Sequence, residues 1–230
     1  MRFLKDIFYL FYPKLCVNCS VTLLKNEVFV CTVCKNELPV IVDNQQVNKV
    51  LLSVFYGKVA VKNVRSFLYF NKKGITQKLI HQLKYKNQPE IGVFIGDWFG
   101  KQLKETAIFK DVDVIISVPL HPKKLKKRGY NQLTKFGETL SEILEIPYQP
   151  NILTRISTTN TQTLKQRLER FSNHQKTFKL TDFTIFENKH ILLIDDVITT
   201  GATLHACAKE LSQTKNITIS IATMAYTQKD

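Results

Sequence analysis

The sequence predicts an α/β protein with a largely parallel sheet and a small cysteine-bearing module at its N terminus. Residues Ile191 to Ile194 form an apolar run that suits a strand buried on both faces of a parallel sheet. The run from Asp113 to Pro119 has the same character. Two C-x-x-C pairs lie near the start of the chain. We therefore expect a module over residues 1–38 and an α/β domain over residues 39–230.

Four of the five cysteines predict a zinc site. They form two C-x-x-C pairs separated by 11 residues, the spacing of two knuckles that offer four thiolates to one tetrahedral zinc. A full coordination sphere makes this zinc structural, and so short a segment depends on it to stay folded. The alternatives are two disulfides, a redox pair or a redox sensor. The ligands would be Cys16, Cys19, Cys31 and Cys34, whereas Cys207 is expected in the core.

Charge and hydropathy restrict the partners and the location. The chain has 230 residues with 33 lysines and arginines against 19 acids, and its net charge of +14 favours polyanions. No apolar run approaches the roughly 18 residues that span a bilayer, and residues 1–11 lack a cleavage site. We expect a cytoplasmic protein without membrane insertion. The apolar stripe of residues 1–11 is interpreted as docking on its own domain, with membrane contact as the alternative.

The rest of the chain alternates between strand and helix patterns, as in an α/β domain. Residues 71–74 have the composition of a turn, and residues 40–60 are left unassigned. The predicted strands cover 64–70, 113–119, 177–180, 190–194 and 217–225, and the predicted helices cover 76–85, 90–104, 131–144 and 201–212.

Asp195 and Asp196 follow the apolar run, at the end of a strand where ligands bind in open α/β sheets. The next segment, Thr199 to Thr203, can turn at Gly201 and open a helix, whose N–H groups and dipole favour a phosphate. The acids repel phosphate. One ligand that contacts both the acid pair and the Thr199 to Thr203 segment therefore needs a phosphate at one end and hydroxyls, or a metal held through them, at the other. A ribose 5-phosphate fits. The alternative is a strand whose acids cap the next helix.

Two further segments are candidates for binding. The predicted loop over 120–132 has five basic residues among the six from Lys123 to Arg128, which suits a pyrophosphate leaving group, a nucleic-acid backbone or a solvated surface. The polar, threonine-rich segment over 151–178 reads as a lid over the site or as a plain surface excursion.

The segment D-D-V-I-T-T-G-A-T resembles the phosphoribosyl pyrophosphate (PRPP) signature of type I phosphoribosyltransferases, and neither a Walker loop nor a dinucleotide fingerprint is present. Two more motifs extend the resemblance, S-V-P-L-H-P-x-x-L-x-x-R-G-Y-N-Q at 117–132 and T-Q-x-L-x-x-R-x-E-R-x-x-N at 161–173. Together with the zinc knuckles, they resemble the ComF family of phosphoribosyltransferase-like proteins, named for competence in DNA uptake. The resemblance covers nearly the whole chain.

The resemblance implies a type I phosphoribosyltransferase fold, a mostly parallel sheet flanked by helices behind a zinc domain. It assigns Asp195 and Asp196 to the ribose hydroxyls and Thr199, Thr200, Gly201, Ala202 and Thr203 to the 5-phosphate. Leu120 and His121 would lie in a pyrophosphate loop with Arg128 nearby. Arg167 and Arg170 would lie in a flexible loop over 154–178. Magnesium would bridge pyrophosphate and ribose oxygens.

Several functions agree with the resemblance. One is a PRPP-binding role in natural transformation, alongside a helicase-like ATPase of the DNA-uptake machinery. Another is a non-catalytic module that senses nucleotide and binds single-stranded DNA. A third is an active phosphoribosyltransferase of nucleotide metabolism with an unknown acceptor. Purine-salvage members carry a third acid where this chain has Thr199, which weakens hypoxanthine or guanine as the acceptor.

Overall fold

The computed structural model describes residues 12–156, 178–182 and 184–228. Within these ranges, none of the helices combines the length and the apolar character that a membrane crossing requires. Residues 1–11 and the predicted flexible-loop arginines, Arg167 and Arg170, lie outside the described residues, so the expectations for them stay predictions.

Five parallel strands form the central sheet, and two short strands form an antiparallel pair beside it. The order in the sheet is β1-β7-β6-β2-β3, and β4 pairs with β5. The strands are β1 (Val64–Tyr69), β2 (Val114–Ser117), β3 (Tyr148–Gln149), β4 (Leu153–Arg155), β5 (Phe178–Leu180), β6 (His190–Ile198) and β7 (Thr218–Tyr226). The predicted parallel α/β sheet is therefore confirmed.

The central strand is β6, as predicted, but it is longer than its apolar run. Ile191 to Ile194 are fully buried because β7 and β2 flank the strand and helices cover the sheet. Pairing with β2 ends at Ile194, whereas pairing with β7 continues to Ile198. The acid pair therefore lies within β6, along the edge that β2 leaves free.

The last strand of the chain enters the interior of the sheet. The sequence predicts that residues 217–225 close the sheet, whereas β7 lies in its interior, between β1 and β6. Eight of its nine residues are buried as a result. This central position explains its run of apolar and small side chains.

Helices cover the sheet, and one close contact between helices depends on glycine. The helices are α1 (Thr32–Asn36), α2 (Gln45–Ser53), α3 (Ile75–Tyr85), α4 (Glu90–Thr106), α5 (Pro122–Arg128), α6 (Thr134–Leu144) and α7 (Ala202–Leu211). A Cβ atom on Gly96 would lie 3.0 Å from Cβ of Thr139, and one on Gly100 would lie 2.9 Å from Cδ1 of Ile143. These glycines of α4 therefore let α6 pack closely on it.

The predicted basic loop is partly helical, which corrects the sequence interpretation. Helix α5 covers most of it because His121 caps its start, with Nδ1 accepting from the backbone N–H of Lys123 at 3.2 Å. Pro122 suits its first turn, and Gly129 ends it at φ 82°. The next helix begins at Thr134 and not at Asn131.

The unassigned segment contains α2, which the side chain of Asn44 caps by accepting from the N–H of Val47 at 2.9 Å. The cysteine-bearing segment rests on α3 and α4. Nζ of Lys78 donates to the carbonyl of Asn18 at 2.7 Å, and Phe29 meets the edge of Phe94 at 6.1 Å between ring centroids. The predicted division at residue 38 stays a prediction.

Candidate functional site

The acid pair is buried, and one of its two carboxylates is held at both oxygens. Nζ of Lys84 lies 2.6 Å from Oδ1 of Asp196, and Nε2 of Gln132 donates to Oδ2 of Asp196 at 2.6 Å. Oδ1 of Asp195 accepts from the backbone N–H of Asp196 at 2.8 Å. Asp196 therefore has a positive partner and a fixed orientation, while Asp195 is stabilised by the backbone.

Burial and the adjacent charge of Asp196 raise the pKa of Asp195 from its usual 3.8 to about 8, against the opposing effects of the Asp196 N–H and Lys84. Near neutral pH the carboxyl of Asp195 therefore keeps its proton. The folded state binds this proton more tightly than the unfolded chain does. This carboxyl consequently makes folding less favourable as the pH rises from about 4 towards 8.

A chain of polar contacts connects the basic segment to the acid pair. The guanidinium of Arg128 donates to Oε1 of Gln132, whose amide nitrogen in turn contacts Asp196. The same guanidinium lies 5.6 Å from the ring centroid of Tyr85. The hydroxyl of Tyr130 donates to the carbonyl of Leu83. The end of α5 is thus joined to the end of α3 beside the acids.

These contacts border a pocket of about 340 Å³, which we call the cationic pocket. Four of its lining side chains are positively charged, and its lining among the described residues includes no acid. Such a pocket attracts anions. Its lining residues are Lys84, Tyr85, Asn87, Lys124, Lys127, Arg128 and Tyr130.

The predicted phosphate loop, residues Thr199 to Thr203, follows β6 and leads into α7. Gly201 adopts φ 72°, and a Cβ atom there would lie 2.6 Å from Cγ1 of Val54. Only glycine therefore fits this turn. Gly201 is buried, while Thr199, Thr200, Ala202 and Thr203 are exposed. The threonine side chains of this loop are therefore accessible to an anion, while the N–H of Ala202 donates to Oγ1 of Thr200 at 3.4 Å.

Leu120 and His121 lie just beyond β2, next to β6. The N–H of Val118 donates to the carbonyl of Ile194 at 3.0 Å, so the chain leaves β2 beside the acid pair. Both side chains are half-buried, and the ring of His121 caps α5. The predicted acid pair thus lies near the carboxyl end of β6, and the predicted phosphate and pyrophosphate loops follow the carboxyl ends of β6 and β2. Their predicted roles in ligand binding stay predictions.

The predicted zinc ligands lie together. The sulfur atoms of Cys16, Cys19, Cys31 and Cys34 are all within 4.8 Å of one another, and those of Cys19 and Cys31 are 3.7 Å apart. A tetrahedral zinc with Zn–S bonds of about 2.3 Å needs sulfurs about 3.8 Å apart. Nδ2 of Asn18 donates to Sγ of Cys34 at 3.3 Å. The cluster could therefore bind zinc.

The thiols of this cluster differ in acidity. Burial raises the pKa of Cys16, but N–H groups of Cys19, Cys31 and Asn18 outweigh it and lower the pKa to about 6. The hydrogen bond from Asn18 lowers the pKa of Cys34, whereas burial and the three neighbouring thiols raise it to about 12. Four adjacent sulfurs therefore resist carrying several negative charges together unless a cation lies between them. Cys207 is fully buried in α7, as expected.

Sequence reasoning missed three residues of the site. Lys84 lies in a predicted helix, but nothing in its local pattern separates it from the exposed Lys86. Gln132 belongs to the motif at 117–132, but the sequence analysis assigns it no role. Val54 comes from the unassigned segment and limits position 201 to glycine.

Comparison with known proteins identifies a domain and several relatives. A family model described as "Phosphoribosyl transferase domain" matches residues 132–230. "Competence protein F" of Haemophilus influenzae is 34% identical over 137 residues, which are 58% of this chain and 60% of that protein. "DNA utilization protein YhgH" of Escherichia coli O157:H7 is 30% identical over 146 residues, 62% of this chain and 63% of that protein.

"Competence protein ComFC" of Bacillus subtilis is 25% identical over 211 residues, 85% of this chain and 77% of that protein. The chain is a homologue of these proteins. It carries a phosphoribosyl transferase domain, and the resemblance seen in its motifs is confirmed. The chain spans about three fifths of the length of the first two relatives.

The chain has the type I fold, a parallel sheet of five strands flanked by helices, preceded by the cysteine cluster. Among solved structures, the purine phosphoribosyltransferase of Pyrococcus horikoshii Ot3 aligns with 58% of this chain and 74% of that one, at 20% identity and a TM-score of 0.38. The matched domain begins at Gln132, so Lys84 lies upstream of it.

Proposed function

We propose that this protein binds PRPP or a related phosphoribosyl ligand with Mg²⁺ and acts in natural competence and DNA uptake. The observation that carries the ligand is the acid pair beside a phosphate loop at the carboxyl end of β6. The names of its relatives, competence and DNA utilization proteins, support the biological role.

Each part of the site would receive one part of the ligand. Asp195 and Asp196 accept hydrogen bonds from the ribose hydroxyls, and residues 199–203 bind the 5-phosphate through N–H groups and hydroxyls. The cationic pocket faces the pyrophosphate. When bound, Mg²⁺ neutralises charge on the pyrophosphate, and the hydroxyl and phosphate oxygens of the ligand are donors that this ion prefers.

The reaction suited to this site is pentosyl transfer. An acceptor nucleophile forms a bond to the anomeric carbon of the ribose as the bond to pyrophosphate breaks, and Lys124, Lys127 and Arg128 of the cationic pocket stabilise the departing charge. Thr199 is no general base at neutral pH, which argues against hypoxanthine or guanine as acceptor. A non-catalytic sensor of PRPP would bind the same ligand without releasing pyrophosphate.

Thermal unfolding with Mg²⁺ and PRPP tests the binding site. Ligand at about 100 times its dissociation constant adds roughly 2.7 kcal/mol, which raises the midpoint of a domain this size by about 5 to 10 °C. The shift should vanish in Asp195→Asn/Asp196→Asn. Asp97→Asn, which removes an exposed acid of α4, should keep it. A wild-type protein without a shift contradicts PRPP binding.

Single-stranded DNA is a second candidate ligand, favoured by α5. Its lysines project from an exposed helix beside the cationic pocket, and the chain has a net charge of +14. A row of cations can follow a phosphate backbone. The helicase-like ATPase of the DNA-uptake machinery is a further proposed partner, supported by the family resemblance.

Salt dependence of binding to an oligothymidylate of about 20 nucleotides tests the DNA contact. Log affinity should fall linearly with log salt, and Lys123→Ala/Lys126→Ala should reduce the slope by about 1.4, or about 0.7 for each lost phosphate contact. Lys110→Ala/Lys215→Ala, which changes exposed lysines before the amino ends of β2 and β7, is the control. A flat dependence, or equal slopes in all three proteins, argues against this contact.

We also propose that the cysteine cluster binds one structural zinc. The purified protein should contain one zinc per chain, and Cys34→Ser should lose both the metal and the folded N-terminal segment. Cys207→Ala should keep the zinc, since that thiol lies outside the cluster. Metal analysis and limited proteolysis give the readouts. Full occupancy in Cys34→Ser contradicts the site, and release by mild oxidant would indicate redox sensing.

A further inference from the structure

Lys84 lies at the end of α3 and reaches across 112 residues of sequence to the acid pair. The side chains of Lys84 and Asp196 are 22% and 10% exposed, so water screens this ion pair only partly. The contact therefore belongs to the interior of the site and not to its surface. The match to the phosphoribosyl transferase domain begins at Gln132, so Lys84 lies outside it.

The surrounding contacts fix where Lys84 can reach. Leu79, Ile80 and Leu83 bury one face of α3 in the core. On either side of Lys84, the carbonyl of Leu83 accepts from Tyr130, and the ring of Tyr85 lies against the guanidinium of Arg128. These contacts hold the last turn of α3 beside β6. Lys84 is therefore presented to Asp196 by a rigid element.

The pair of contacts on Asp196 leaves capacity for a ligand. Each carboxylate oxygen can accept about two hydrogen bonds, so Lys84 and Gln132 occupy one position on each oxygen. The remaining positions can accept hydroxyl groups. The ammonium also counters the negative charge of the pair. Among the described residues, the pair's other charged or titratable neighbours include the Cys207 thiol, which itself feels the charge of Arg155, and, through Gln132, Arg128.

We propose that Lys84 is a positioning residue of the phosphoribosyl site, which holds the Asp196 carboxylate in the orientation and charge that accept the ribose hydroxyls. The inference rests on the proposed function, and it extends the site to α3, upstream of the matched domain. Lys84 acts through Asp196 and has no reacting atom of its own. Its loss should weaken ligand binding more than it weakens the fold.

Calorimetric titration of Mg²⁺ and PRPP into wild type, Lys84→Met, Lys84→Arg and Lys86→Met tests the inference. Lys84→Met should bind at least about tenfold more weakly, the loss of one charge-assisted hydrogen bond, and Lys84→Arg should recover most of the affinity. Lys86→Met removes an exposed charge two residues away and should bind as wild type does. Unfolding midpoints without ligand show that each variant is folded.

The pH dependence separates positioning from mere support of the fold. Without the ammonium, the acid pair keeps its proton to higher pH. The pH at which binding is half-maximal should therefore rise in Lys84→Met and stay unchanged in Lys84→Arg. If Lys84→Met binds with the affinity and pH dependence of the wild type, the inference about Lys84 is overturned and the proposed function is not. If wild type itself does not bind PRPP, the proposed function fails together with it. Lys84→Gln replaces Lys84→Met if that variant does not fold.

Discussion

Two carboxylates buried side by side near the end of β6 are the constraint on which the rest of the site depends. Burying adjacent negative charges is costly unless cations, hydrogen bonds or a proton compensate them. Lys84 from α3 supplies the cation, Gln132 from the segment after α5 supplies a hydrogen bond, and the raised pKa of Asp195 favours a retained proton. Because these groups come from distant parts of the sequence, the acid pair is stable only when the sheet, α3 and the end of α5 have assembled.

The same arrangement gives the site an alternation of charge. The acid pair lies between an anion-attracting loop after β6 and the cationic pocket formed by α3 and α5. A ligand with hydroxyls flanked by anionic groups matches this order. The carboxylates would repel a ligand that is anionic along its whole length. The cysteine cluster contributes indirectly, since Asn18 contacts both Cys34 and Lys78 and so connects the cluster to α3, the helix that presents Lys84.

Sequence reasoning succeeded where the determining residues are close together in the chain. The apolar run of β6, its acid pair and the two C-x-x-C knuckles are each set by local spacing, and the structure has all three. It failed where distant contacts decide. Lys84 and Lys86 look alike in sequence, and only the fold brings one of them to Asp196. Helix α5 has no apolar stripe, so its basic residues suggested a loop, although His121 and Gly129 define its ends.

The unequal sharing of charge within the acid pair is the central claim, and it can be measured directly. Carboxyl ¹³C chemical shifts of the aspartates, followed from about pH 3 to 10 and assigned with Asp195→Asn, report the titration of each group. The structure predicts that Asp195 in the unliganded protein titrates near 8. Titration of Asp195 near its usual 3.8 would contradict the account, because burial and the adjacent Asp196 would then not make this carboxyl retain its proton.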